Sequence, residues 1–206
     1  MGLDFPFGLP HELVGEGTWQ EFALAFPGLH PGPEEFKNRC LQAARRIPDR
    51  KKDELKRATD FKARTPFSPY NLRLFRQTYY GIRDILRPLV ERDQARVLPM
   101  QAPAGGKAIV VEICPRSALI AIGLGLNYAG VTAAHTEARQ QILAAVLAGQ
   151  VSIPDDAVRQ AIVADTEGDA LSSVIAATAT FRAVRRGYAV EGELNPRYGL
   201  EGYVYV

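Results

Sequence analysis

Four carboxylates stand where the ends of secondary-structure elements are expected to converge. Asp4 ends a short apolar segment at the start of the chain, and Glu112 lies near the end of a second apolar segment. Asp165 and Asp169 open a stretch whose apolar spacing predicts a helix to Arg186. Carboxylate oxygens are the ligands that Mg²⁺ and Mn²⁺ select in proteins. The pattern therefore predicts one acidic metal site formed by Asp4, Glu112 and Asp165 or Asp169.

A site of this kind has a defined chemistry. One or two divalent cations activate a water molecule and stabilise an in-line displacement at phosphorus. No serine lies in a G-x-S-x-G elbow, and the three histidines lack metal-ligand spacing. Carboxylates are therefore the strongest catalytic candidates in this chain.

Glu112 is the most informative of these acids, because a carboxylate inside an apolar strand is costly to bury unless it is paired, protonated or bound to a cation. Its place near the end of a strand is also where open α/β sheets bind ligands. The structural alternative is an ion pair with Arg116 or a nearby lysine. Asp4 has a comparable alternative as a turn residue that accepts backbone amides near Phe7.

Asp165 and Asp169 are four residues apart, so a helix places them on one face. Their alternative is also structural. Thr166 and Asp169 have the spacing of a capping box, and acids in a first turn are favoured by the helix dipole.

A second candidate surface is a helix face rich in arginine. The Ser68–Pro69 pair is a typical helix start and predicts a helix to about Val90. One of its faces carries Arg73, Arg76, Tyr80, Arg83 and Arg87. Such a face can contact phosphates and stack on bases. The alternative is a solvated face whose arginines pair with Asp84, Glu91 and Asp93.

The elements that position these groups form an α/β pattern. The apolar segments at 1–5 and 107–114 predict strands of a sheet covered on both faces. Helices are predicted near 34–46, 68–90, 133–148, 154–164 and 165–186, and the tail from Tyr198 predicts an edge strand or a docked extension. Residues 49–64 are dense in both charge signs and predict a solvated helix or excursion, or a phosphate-facing segment.

The composition fits a single globular domain over residues 1–206. Hydrophobic residues make up 47% and charged residues 23%, and the net charge of +2 requires any nucleic-acid site to be a local patch. Cys40 and Cys114 show no CxxC spacing, which argues against a disulfide framework and a zinc site. No apolar run reaches the roughly 18–20 residues of a membrane span. We expect a cytoplasmic protein without membrane contact.

Four strings in this order resemble one known family across nearly the whole chain. They are GLDFPFGLP, TPFSPYNLRLFRQTYYGIRDIL, VVEICPRS and DTEGDALSSVIAATATFRA. The family is the domain-of-unknown-function 429 family, whose members are nuclease-like proteins with the RNase H fold. The resemblance implies a metal-dependent acidic site on Asp4, Glu112 and Asp169, with Asp165 as alternate ligand and Mg²⁺ or Mn²⁺ as cofactor.

Relative to that family, the N-terminal β-meander and its catalytic aspartate are missing here. The resemblance therefore implies an RNase H-like, incomplete mixed sheet with several helices packed on it. It also implies self-association or a partner that completes the sheet. The expected function is a metal-dependent nuclease or phosphodiester hydrolase, and the alternative is a catalytically inactive nucleic-acid-binding or protein-interaction module.

Overall fold

A computed structural model describes residues 1–48, 54–125, 127–149, 151–190 and 195–206. Residues 49–53 of the charged stretch predicted as an excursion lie outside these ranges. The strands within them are β1 (Gly2–Leu3), β2 (Ala95–Leu98), β3 (Ala108–Ile113) and β4 (Val204–Tyr205), and they form one sheet.

β3 lies inside the sheet, and every strand that pairs with it runs parallel to it. β1 pairs along one edge of β3, with Leu3 opposite Glu112. β2 and then β4 pair along the other edge, where Val204 lies opposite Glu112. Because parallel strands end at the same side of a sheet, β1 and β3 bring Asp4 and Glu112 together there.

The predicted α/β class is confirmed, and the sheet differs from the expected mixed one. All strand pairs within the described ranges are parallel. β2 was not predicted, because its four residues include Arg96 and carry no strong apolar signal. The tail docks as β4 beside β3, in line with one of the two expectations for it.

The helices of the described ranges surround this sheet. They are α1 (His11–Val14), α2 (Trp19–Leu29), α3 (Pro33–Arg45), α4 (Ala58–Lys62), α5 (Phe75–Tyr80), a π-helical segment (Gly81–Leu86), α6 (Arg87–Glu91), α7 (Pro115–Ala121), α8 (Ala133–Leu147), α9 (Asp156–Ala164), α10 (Asp169–Arg185) and α11 (Tyr198–Glu201). Across the described part of the chain, no helix combines the length and the apolar character needed to cross a membrane.

Two of the predicted helices begin later than their sequences suggest. The helix expected from Ser68 begins at Phe75, and a π-helical segment divides it before it ends at Glu91. The helix expected from Asp165 begins at Asp169, because Asp165 instead ends α9. Both differences arise at helix starts, where side-chain caps and turns decide the first residue.

The core consists of two apolar layers on opposite faces of the sheet. Val110 of β3 belongs to the layer that contains residues of α2, α3, α5 and α6. Val111 and Ile113 belong to the layer that contains residues of α7, α8 and α10. Because side chains alternate along a strand, Glu112 shares the face of Val110.

Candidate active site

Asp4 lies where two concavities meet. One is a cavity of about 200 Å³ whose lining includes Arg57, Glu112 and Arg116. The other is a groove of about 720 Å³ between β1 and α10, and its lining includes Asp169. Asp4 belongs to both linings. The three acids that the resemblance implies therefore border two neighbouring concavities.

Close packing of β1 on α10 sets the position of Asp4. A Cβ atom on Gly2 would lie 1.9 Å from Oγ1 of Thr180, so the strand and the helix approach too closely for any side chain at residue 2. The carbonyl oxygen of Asp4 accepts a hydrogen bond of 2.5 Å from Nε2 of Gln77. Its carboxylate, in contrast, accepts no hydrogen bond from any residue in the described ranges.

The pKa of Asp4 is raised to about 6. Loss of water around the carboxylate contributes most, followed by the negative charges of Glu112 and Asp169. The residue is still accessible to solvent, so the walls of the two concavities, rather than full burial, restrict its hydration. These effects require the charges of Glu112 and Asp169 to lie near Asp4.

Asp169 is the first residue of α10, and it lines the groove. It is exposed, and within the described ranges no donor is bonded to its carboxylate. Gly168 before it has a φ of 81°, a left-handed conformation that glycine adopts without strain. Asp4 and Asp169 therefore both present carboxylate oxygens that no described residue uses.

Glu112 is only 3% exposed, and both of its carboxylate oxygens are bonded within the protein. Nη2 of Arg57 donates to Oε1 over 2.6 Å, and Nη1 donates to Oε2 over 2.8 Å. The backbone N–H of Phe7 also donates to Oε2, over 2.9 Å. Burial raises the pKa of Glu112, and the positive charge of Arg57 opposes that rise. Oxygens engaged in this way do not suit the direct metal contact expected of Glu112.

The ion pair considered as an alternative for Glu112 is thus present, with Arg57 rather than Arg116 as its partner. Arg57 is buried and also donates to Oδ1 of Asp60 over 2.8 Å and to the carbonyl oxygen of Glu201 over 3.0 Å. Burial acts to lower the pKa of Arg57, but the carboxylates of Asp60 and Glu112 outweigh this effect and raise it.

The sequence placed Arg57 in a stretch predicted to be solvated or phosphate-facing, so its structural role was missed. The available signal was Glu112 itself, because a carboxylate within an apolar strand requires a partner. The R-x-x-D spacing of Arg57 and Asp60 offered a second signal, since these residues lie three apart across the start of α4.

Asp165 caps the turn that leads into α10. Its Oδ2 accepts the N–H of Ala170 over 2.8 Å, and its Oδ1 accepts the N–H of Glu167 over 3.2 Å. The bond from Ala170 is the main cause of a lowered pKa for Asp165. The capping box expected between Thr166 and Asp169 does not form. Asp165 is therefore engaged in capping rather than free as the alternate ligand.

Another acidic group lies away from Asp4 and consists of His11, Glu12 and Glu201, whose ligand atoms lie within 4.8 Å of one another. Both oxygens of the buried Glu201 accept backbone bonds, from His11 over 2.9 Å and from Ala58 over 2.6 Å. These bonds tie α1 and α4 to α11, so this group has a structural role.

The donor atoms near Asp4 fit a cation held by two carboxylates better than one held by three. In the described part of the chain, the oxygens of Asp4, Glu112 and Asp169 do not all lie within 4.8 Å of one another. Mg²⁺ is commonly held by one or two carboxylates, with water completing its coordination. Asp4 and Asp169 line one groove with unused oxygens and are the two candidate ligands, and the charge of Glu112 acts on Asp4.

Arg116 provides positive charge at the same place. It is exposed and lines the cavity together with Asp4, and it forms no ion pair with another described residue. Its charge acts on Tyr128, whose hydroxyl lies 2.9 Å from Oγ of Ser172 on α10. A guanidinium that is not paired with a carboxylate is well suited to binding a phosphate oxygen.

The predicted arginine face extends from the turn before α5 to α6, and its charges have local partners. The ion pairs are Arg76 with Glu34, Arg83 with Asp84 and Arg87 with Glu91. Arg73 lies over the ring of Phe67, and Tyr80 is exposed. Exposed ion pairs are weak because water and salt screen them, so a phosphate can replace these partners.

A scan against protein-family models finds no match to this chain, and comparisons with curated proteins and with solved structures find none either. The family resemblance stays an expectation from sequence. The geometry around Asp4 is what a functional proposal can rest on.

Proposed function

We propose that this protein hydrolyses phosphodiester bonds with one divalent cation bound by Asp4 and Asp169. The observation that carries the proposal is geometric: Asp4 and Asp169 line one groove, and no described residue bonds their carboxylate oxygens. The nearby charges of Glu112 and Asp169 add to the rise in the pKa of Asp4, which loss of water mainly causes. Mg²⁺ or Mn²⁺ held by these carboxylates would neutralise that charge. When bound, such a cation activates water and polarises a phosphoryl oxygen.

The other residues of the site orient the substrate and the acids. Arg116 donates to a phosphate oxygen beside Asp4. Arg57 holds Glu112 in place, so that a fixed negative charge remains near Asp4. The groove wall formed by Ser173 and Ala177 of α10 has small side chains, which leave space for an extended substrate strand.

Two further features support an RNase H-like fold and nucleic acid as the substrate. β1 and β3 are parallel neighbours with acids at their ends, and Asp169 begins a helix that packs on β1. Arg73 lies next to the cavity, since its guanidinium is 5.6 Å from the ring centroid of Phe67, a lining residue. The rest of the arginine face follows along α5, the π-helical segment and α6.

Hydrolysis of single-stranded, duplex and hybrid oligonucleotides in Mn²⁺ tests the proposal. We expect Asp4→Asn and Asp169→Asn to lower the rate by more than roughly 100-fold. Even the mutation of a residue that only hydrogen-bonds a metal ligand lowers metal affinity or activity by about 10- to 100-fold. Glu167→Gln is the matched control, since Glu167 is exposed close to Asp169 and lines neither concavity. Cleavage that persists in Asp4→Asn overturns the assignment.

A second candidate function is protein interaction, and the free edge of β1 favours it. In the register with β3, the N–H and C=O of Gly2 point away from β3, and no other described strand pairs there. The groove along this edge is lined by small and apolar side chains, including Ala177 and Phe181. An extended segment from a partner or from a second copy could pair with Gly2 and complete the sheet.

Light scattering over a range of concentrations tests whether a second copy pairs at this edge. We expect a rise in mass that Ala177→Arg prevents, because an arginine at this exposed position would fill the groove. Val158→Arg on α9 is the control, since Val158 is exposed and lies outside the groove. A constant monomeric mass counts against self-association.

A further inference from the structure

We infer that the cavity beside Asp4 holds the base of a single nucleotide whose phosphate lies at Asp4 and Arg116. The inference rests on the proposed function for the position of the phosphate. It adds the substrate class, which the size, the walls and the charges of the cavity define.

The size of the cavity suits one ring system. Its volume of about 200 Å³ is below the roughly 300–1,000 Å³ of sites for drug-sized ligands. Phe5, Phe67 and Leu74 form apolar walls. A base that is still paired in a duplex cannot enter such a space, so the base must be unpaired.

Two half-buried aromatic residues line the cavity, Phe67 and Tyr128, and Phe67 is the stacking wall because the hydroxyl of Tyr128 is held 2.9 Å from Oγ of Ser172 on α10. The ring of Phe5 is not free for this, because Phe5 is 7% exposed and its ring lies against the backbone of Gly81. Phe67 is only half-buried, and it lines the cavity while Arg73 lies over its ring. Aromatic stacking of this kind accepts any base, because every base has a π-face.

The charges set the orientation of the nucleotide. Arg57 faces both Asp60 and Glu112, so the inner wall of the cavity carries one net negative charge. That charge repels a phosphate and tolerates a neutral base. The positive charge of Arg116, which lines the same cavity as Asp4, favours the phosphate at its own position.

Gln77 gives the cavity a polar group that a base can use. Its Nε2 donates to the carbonyl oxygen of Asp4, and no described residue donates to its Oε1. Because Gln77 lines the cavity, this oxygen can accept a hydrogen bond from an amino or imino group of the base. The site therefore combines the stacking surface of Phe67, the hydrogen-bond acceptor of Gln77 and the phosphate-binding guanidinium of Arg116.

Calorimetric titration of the Mn²⁺-loaded protein with nucleoside 5′-monophosphates and with ribose 5-phosphate tests the inference. We expect the nucleotides to bind about tenfold tighter than the sugar phosphate, which is the size of one stacking contact. Phe67→Leu should remove most of this difference. Phe61→Leu is the matched control, because Phe61 is 71% exposed on α4 and does not line the cavity.

Leu74→Phe gives an independent measurement if Phe67→Leu disturbs folding, since a larger apolar side chain narrows the cavity. We expect it to abolish the preference for nucleotides. Equal affinity for nucleotides and ribose 5-phosphate overturns the inference, and so does the absence of binding by both ligands. Neither result contradicts the proposed hydrolysis. If Phe67→Leu removes a preference for nucleotides, the base site is supported. If the same wild-type protein cleaves no oligonucleotide, the proposed hydrolysis is contradicted.

Discussion

Arg57 and Glu112 form a bidentate ion pair in the interior, with N–O distances of 2.6 and 2.8 Å. Glu112 belongs to the strand at the centre of the sheet, and Arg57 precedes α4. The pair therefore fastens a highly charged stretch of sequence to the sheet. The pair also occupies the carboxylate oxygens of Glu112, the buried residue among the predicted metal ligands. Asp4 and Asp169 are left with oxygens that can bind a cation.

Removal of Arg57 is expected to be strongly destabilising. Arg57→Met leaves Asp60 and Glu112 buried without their cation, and breaking a buried pair in this way costs about 3–5 kcal/mol. Glu112→Gln should cost less, because Asp60 still neutralises Arg57. Urea unfolding followed by circular dichroism measures both changes. A loss below about 1 kcal/mol for Arg57→Met would contradict a structural role for the pair.

The pKa of Asp4 predicts a pH dependence of stability. Because the pKa is raised from 3.8 to about 6 on folding, the folded state binds the proton more tightly than the unfolded state. The resulting stabilisation is present below pH 4 and is lost as the pH rises through 6. As the pH rises from 4 to 6, the free energy of unfolding of wild type should therefore fall relative to that of Asp4→Asn. Above pH 6, added Mn²⁺ should restore the stability of wild type.

Comparison with Asp4→Asn is needed because His30 titrates in the opposite sense. Burial and the charge of Arg39 lower the pKa of His30 from 6.5 to about 4. The stability that neutral His30 contributes is therefore lost as the pH falls from 6.5 through 4. The urea midpoint of both proteins at several pH values separates the two effects. Parallel curves for wild type and Asp4→Asn would show that Asp4 has an ordinary pKa.

Gly2 is expected to tolerate no side chain. In Gly2→Ala the new Cβ atom would lie 1.9 Å from Oγ1 of Thr180 and 2.7 Å from Cγ1 of Ile113. Overpacking of this kind costs about 1–3 kcal/mol, and here it would displace β1 and Asp4. Thr180→Ala in the same chain should recover part of the stability and part of the Mn²⁺ affinity. Equal stability of Gly2→Ala and wild type would contradict the close packing of β1 on α10.

Asp165 and Asp169 should respond in opposite ways to truncation. Asp165→Ala removes the acceptor for two backbone N–H groups and is expected to lower the melting temperature while Mn²⁺ affinity is retained. Asp169→Ala should leave the stability nearly unchanged and weaken Mn²⁺ binding. Thermal unfolding and calorimetry on the same samples check this, and the reverse pattern would make Asp165 the ligand.

The sequence predicted those features that follow from chain direction and strand ends. Two apolar segments with an acid near the end of each suffice to expect Asp4 and Glu112 at one side of a sheet. The convergence of Asp169 with them follows once α10 packs on β1. These relations depend on elements that short runs of sequence specify.

Features that depend on distant partners were not predicted. Arg57 looked like one charge among many, and only the fold shows that it reaches Glu112. The capping role of Asp165 depends on the left-handed turn at Gly168, which a helical pattern does not reveal. β2 was missed because it is short and gains its stability from pairing with β3.

Calorimetric titration with Mn²⁺ tests the central claim most directly. We expect one Mn²⁺ per chain in wild type and in Glu167→Gln, and an affinity at least about tenfold weaker in Asp4→Asn, as the loss of a metal-site partner predicts. No binding to wild type, or equal affinity in wild type and Asp4→Asn, would contradict a cation site at Asp4 and Asp169.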